Sequence, residues 1–231
     1  MGGLSLELIL GCLAAGAAGM VVGKQTPALS LRLIGYKESK KGKRYKPYVF
    51  PRWRSWLYGA GLAVAWAMAA YYYTSAYMVI VAALALVALV IVYVDNRYRI
   101  IANEITVPLM VFGLFFNLLQ GGIKGVAGSL LAAVLGTLLC AAAAVLTRKN
   151  QAVGAGDVKL MMAAAMVTGF YGFVYMMFFM AVTMGIYCVG GLLLKKFTLQ
   201  SYFPMGGFIA LGMVLAFFEE QLMPILHLLI G

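Results

Sequence analysis

Acidic residues are scarce in this 231-residue chain, which carries seven Asp and Glu against eighteen Lys and Arg. Only two of the acids are aspartates, Asp95 and Asp157. Histidine is scarcer still. His227 is the single one, which speaks against a Ser-His-Asp triad and against a His-rich zinc site. The three cysteines, Cys12, Cys140 and Cys188, all lie in apolar segments and form no CxxC pair, so neither a zinc knuckle nor a disulfide framework is indicated and no metal site is expected. The long runs of Ala, Leu, Gly and Met lack the polar–apolar alternation of a membrane barrel. A basic n-region is also missing: the first apolar segment carries Glu7 and is followed by a basic stretch, so it is read as a retained span, not a signal peptide.

What remains is hydrophobicity. Sixty-four per cent of the residues are hydrophobic and 11% are charged, with a mean hydropathy of +0.95. A helix crosses a bilayer core in about 20 residues, and eight candidate spans can be marked at 4–23, 56–74, 76–94, 106–120, 126–146, 158–170, 173–194 and 204–222. The expected architecture is therefore an all-α polytopic membrane protein of about eight transmembrane helices: a first helix in 1–23, a basic cytoplasmic loop in 24–55, and one helical domain in 56–231.

The net charge of +11 is distributed as a topology signal. Ten of the eighteen Lys and Arg residues fall between Lys24 and Arg54. Such a loop beside a span is expected in the cytoplasm, where it attracts anionic lipid headgroups; nucleic acid is not the expected partner. With that loop inside, the eight spans deliver Asp95, Arg97 and Arg99 to the same face. Arg148, Lys149, Asp157, Lys159, Lys195 and Lys196 follow, while Lys124 falls outside with Glu219 and Glu220. Topology thus allows Asp95, ending span three, and Asp157, beginning span six, to share one membrane face.

An ionised carboxylate near hydrocarbon costs a few kcal/mol. Each aspartate could be simply interfacial, or cap the next helix. Their pairing at one face suggests chemistry. Two close carboxylates share one proton, because both cannot ionise cheaply. The ionised one can activate a water while the protonated one polarises an amide carbonyl. In "GAGD", Gly154 and Gly156 permit unusual backbone conformations and close approach of another chain, such as an extended peptide. The pattern fits neither a P-loop nor a dinucleotide fingerprint.

The segment "GAGDVKL" at 154–160 resembles the GxGDxKL motif of the bacterial type IV prepilin peptidases, which are polytopic aspartic proteases. "DNRYRIIANEITVPL" at 95–109 is similar to the segment of that family built around its first aspartate. Asp95, Ile101, Asn103, Ile105, Thr106 and Pro108 fit, and Ala102 replaces the usual proline. "YFPMGGFIALG" at 202–212 resembles the family's C-terminal stretch. The resemblance spans roughly 76–215. It implies an endopeptidase that cuts the basic leader from pilin-like precursors at the cytoplasmic face of the bacterial inner membrane. Asp95 and Asp157 match the catalytic pair, and Gly154, Gly156, Lys159 and Asn103 are motif positions that shape the site or bind substrate. Proteolysis needs no cofactor. Many members also methylate the product with S-adenosylmethionine, but the SFxN core and CxxC loop of long-form members are missing here, so methylation is implied less directly than cleavage.

Two other classes compete: a transporter whose aspartates bind cations, and a non-catalytic membrane protein of secretion assembly. No inverted repeat favours the former. The presenilin-type GxGD proteases carry YD and PAL motifs, and here "TPAL" at 26–29 precedes both aspartates. Lys159 is expected to tune Asp157 or to snorkel. Glu104 reads as a first-turn helix carboxylate.

Overall fold

The structure is a computed structural model that describes residues 6–42, 52–73, 75–146, 154–195 and 204–230. Every regular element among them is a helix, as expected for an all-α polytopic membrane protein. They form two units, Met1–Tyr98 and Arg99–Gly231.

In the first unit, small residues let backbones meet. Helix α1 (Leu6–Lys24) lies along α3 (Arg52–Tyr72). A Cβ on Gly19 would stand 2.8 Å from the Leu62 carbonyl oxygen, and one on Gly23 would stand 2.6 Å from that of Tyr58. Lipid provides no hydrophobic drive between helices, so this close approach is what holds such a pair. Helix α4 (Ser75–Tyr98) packs on α3, where Trp66 Nε1 donates to the Ala82 carbonyl at 2.9 Å. At the other end of α3, the Lys24 ammonium sits 3.0 Å from the centre of the Trp56 ring.

The segment read as a basic loop contains a helix, α2 (Thr26–Lys41). Pro27 opens it and Gly42, at φ 65°, closes it, its N–H donating to the Glu38 carbonyl. One face is buried: Thr26, Ser30, Ile34 and Lys37, a helical spacing. Arg32, Tyr36 and Lys40 are exposed on the other side. Ile34 packs with Tyr93 and Val94 near the end of α4, and Tyr58 of α3 meets Tyr93 edge-on at 5.7 Å. The basic residues of 43–51 lie outside the described residues.

The second unit is built from two long helices, α5 (Asn103–Leu146) and α6 (Ala155–Leu193), and two short ones, α7 (Met205–Ala216) and α8 (Glu219–Ile230). Neither long helix is straight. Gly122 (φ 58°, ψ −145°) interrupts α5, and Gly169 (φ 70°, ψ −176°) interrupts α6. These dihedrals are open to glycine and closed to side chains with a Cβ. A Cβ on Gly136 would touch both Met161 at 3.0 Å and Phe173 at 3.2 Å, two residues that a straight helix would hold about 18 Å apart. Helix α6 therefore turns back on itself at Gly169. Likewise Gly125 meets the Asn117 carbonyl, about 12 Å away along a straight helix, so α5 turns back at Gly122. Gly122 falls between spans four and five, and Gly169 falls one residue before the end of span six.

The α6 reversal frees carbonyls that a helix would otherwise bond, and in hydrocarbon these need partners. Asn117 supplies one. Its amide nitrogen donates to the carbonyls of Met166 at 2.9 Å, Val167 at 3.3 Å and Gly113 at 2.9 Å. Close by, Gly113 lets α5 approach the α6 backbone, since a Cβ there would lie 2.6 Å from Met166 C. Helix α7 packs on α6 through Gly212, whose Cβ would stand 2.7 Å from the Met176 carbonyl oxygen. Among the described residues four helices, α1, α4, α5 and α6, are long and apolar enough to cross a membrane.

Candidate functional site

Asp95 belongs to the first unit. It lies in the last turn of α4, next to the Ile34–Tyr93–Val94 cluster. Only 5% of it is exposed, although it is one residue from Asn96 and two from Arg97, both exposed. Helix α4 ends three residues later, with Arg99 in the left-handed region at φ 50°. A non-glycine residue there costs roughly 1–2 kcal/mol.

The other sequence-predicted site residues belong to the second unit. Asp157 occupies the first turn of α6. Its Oδ2 accepts the N–H of Gly154 at 2.9 Å, the half of a capping box in which an N3 carboxylate reaches back to the N-cap. The N-terminal helix dipole adds a favourable field for that carboxylate. Asp157 Oδ1 carries no hydrogen bond among the described residues. The residue is half-buried, so its capping role leaves one oxygen for other contacts.

The glycines act differently from the conformational part of the expectation. Gly154 has φ −87° and ψ 158°, extended backbone open to any residue, and Gly156 lies within the helix. What Gly156 provides is room. A Cβ there would lie 3.1 Å from the Cβ of Ile101, so the "GAGD" turn packs directly against the "RIIA" link that precedes α5. A Cβ on Gly154 would lie 3.3 Å from Asp157 Oδ2.

Lys159 and Asn103 complete this corner. The Lys159 ammonium donates to Asn103 Oδ1 at 3.4 Å, bridging the first turns of α6 and α5. The lysine's hydrogen bond goes to Asn103, whose position at the start of α5 is within its reach. Ala102 stands where the motif has proline. Its carbonyl accepts the N–H groups of Ile105 at 3.0 Å and Thr106 at 3.1 Å, so it performs the backbone part of starting α5. Glu104 sits in the first turn of α5, as expected. Of the C-terminal motif, Gly206, Phe208, Ile209, Ala210 and Gly212 are buried on α7. Tyr202 and Phe203, with Arg148, Lys149 and Lys196, lie outside the described residues.

Two residues that sequence reasoning missed are Asn117, which secures the α6 reversal, and Lys37, which is 4% exposed on α2. Asn117 is a polar amide inside an apolar run, a signal for an intramembrane hydrogen bond. Lys37 continues the 26, 30, 34 helical stripe, a pattern hidden among the surrounding charges.

Neither a curated protein nor a solved structure matches the chain. Residues 82–189 match the sequence model of the type IV leader peptidase family. The matched stretch contains both aspartates, the whole "GAGDVKL" segment and both helix reversals. Over that stretch this membrane protein is similar to the type IV leader peptidase family.

Proposed function

We propose that the protein is a membrane-embedded aspartic endopeptidase that removes the basic leader from type IV prepilin-like precursors at the cytoplasmic face of the bacterial inner membrane. The observation that carries the reading is the placement of the chain's only two aspartates within the family-matched stretch. One is buried at the end of α4 and the other keeps a carboxylate oxygen available at the start of α6.

In this reading Asp95 and Asp157 act as a pair. One carboxylate takes a proton from water as the water oxygen attacks the scissile carbonyl, and the other, protonated, polarises that carbonyl. Gly154, Gly156, Lys159 and Asn103 hold the corner on which Asp157 stands. The precursor's apolar helix stays in the bilayer. Confining enzyme and substrate to one membrane raises their effective concentration, so weak contacts suffice. Exposed basic side chains of α2 and α3, such as Arg32, Lys40 and Arg54, face anionic lipid headgroups.

The test is incubation of the purified protein in detergent with a panel of pilin-like precursors, reading the cut by mass. A single cut between the basic leader and the apolar helix is expected, with no methyl increment when S-adenosylmethionine is added. Intact precursors, together with Asp95-dependent cation uptake in vesicles, would replace this reading with the transporter.

A further inference from the structure

Among the described residues only two charged side chains are buried, Lys37 at 4% exposure and Asp95 at 5%. Both belong to the first unit. Helix α2 carries the lysine and packs mainly on α4, which carries the aspartate. The contact between them is fixed by Ile34, packed with Tyr93 and Val94. Val94 adjoins Asp95, and Lys37 lies one turn beyond Ile34 on the same buried stripe. A buried ammonium and a buried carboxylate each need an opposite charge or a full set of hydrogen bonds.

Other partners fit poorly. The unit's remaining acids are Glu7, exposed near the far end of α1, and Glu38, the next residue of α2, which the helix turns about 100° away from Lys37. The described cations Arg32, Lys40, Arg54 and Arg97 are exposed, and Lys24 is committed to the face of Trp56. On the other aspartate, by contrast, the one hydrogen bond comes from a neutral backbone N–H, and the nearby Lys159 bonds Asn103.

We propose that Lys37 is a positioning residue that pairs with Asp95 and thereby divides the labour of the two aspartates: Asp95 is the ionised base and Asp157 the protonated acid. The inference rests on the peptidase reading for its chemistry, though not for the pairing. Asp95 takes a proton from water, and the water oxygen bonds the scissile carbonyl carbon. Asp157 gives its proton to the carbonyl oxygen. Asp95 then returns its proton to the amide nitrogen as the C–N bond breaks. One hydroxyl of the tetrahedral carbon returns its proton to Asp157 as the new carboxyl group forms. Both aspartates end as they began. Helix α2, on this account, is part of the catalytic apparatus and not only a topology anchor.

Purified protein in detergent tests it with Lys37→Met, Lys37→Arg, Asp95→Asn and the Asp95→Asn/Lys37→Met double variant. If the pair exists, Asp95→Asn strands a buried ammonium, and removing that ammonium recovers stability. The double variant then melts above Asp95→Asn. Lys37→Met lowers kcat by about 10- to 100-fold with KM little changed, and Lys37→Arg restores most of the rate. A double variant that melts no higher than Asp95→Asn overturns the pairing, and this comparison stands even if Lys37→Met alone fails to fold. Recovered melting with a Lys37→Met kcat equal to wild type overturns the division of labour. If the wild type cleaves no precursor, the peptidase reading and the division of labour fail together, while the melting comparison still decides the pairing.

Discussion

At the scale of single residues, the "GAGD" turn shows how a motif can be legible while its reason is not. Its glycines announce backbone freedom. Gly154 uses none of it, and Gly156 is helical but pressed against Ile101. The constraint comes from a neighbour distant in sequence, which no local pattern reveals. Gly156→Val therefore forces Ile101 aside and is expected to cost about 1–3 kcal/mol, with a matching fall in melting temperature and loss of cleavage. Gly35→Ala is the control. Nothing lies within 4 Å of a Cβ there, and in a helix interior the change is expected to stabilise by about 0.5–1 kcal/mol. Equal effects at both positions would remove the packing argument. Asp157 was readable as a helix cap and as a candidate acid; the capping hydrogen bond to Gly154 uses one oxygen and is compatible with both.

At the scale of elements, hydropathy was a good guide wherever apolar runs were long. It separated spans four and five around Gly122 and spans six and seven around Gly169, where left-handed glycines reverse α5 and α6. It failed at α2. There the apolar face is narrow, shares its stripe with Thr26, Ser30 and Lys37, and is masked by exposed basic residues. Packing, chiefly on α4, is what supports the helix. The second hidden feature is the polar support of the α6 reversal. Asn117→Leu leaves the carbonyls of Met166 and Val167 without their side-chain donor, at a cost of about 1–3 kcal/mol. Thermal unfolding in detergent should drop accordingly, with activity lost in proportion to folded protein. An unchanged midpoint would mean that the reversal is secured otherwise.

At the scale of the whole molecule, the charge asymmetry and the family match act together. The asymmetry predicts which loops face the cytoplasm. The match covers the stretch with both aspartates. A single cysteine introduced at Lys124 in a cysteine-free background is expected to react with an impermeant thiol reagent from outside the cell, and one at Arg148 only after the membrane is opened. The reverse pattern would place the aspartates on the outer face and exclude a cytoplasmic leader cut. Since two coupled carboxylates are assigned opposite protonation states, kcat/KM should fall at both low and high pH. What sequence could not supply is the environment of each acid: α2, which packs on α4 beside Asp95, is a helix it did not reveal.

The most direct test of the central claim is the initial rate of leader removal by wild type, Asp95→Asn and Asp157→Asn, each confirmed folded, with and without a metal chelator. The account predicts cleavage by wild type at the same rate in both conditions. Each single variant is expected to lose about 100-fold or more. Cleavage by either folded variant at the wild-type rate would contradict the two-aspartate mechanism.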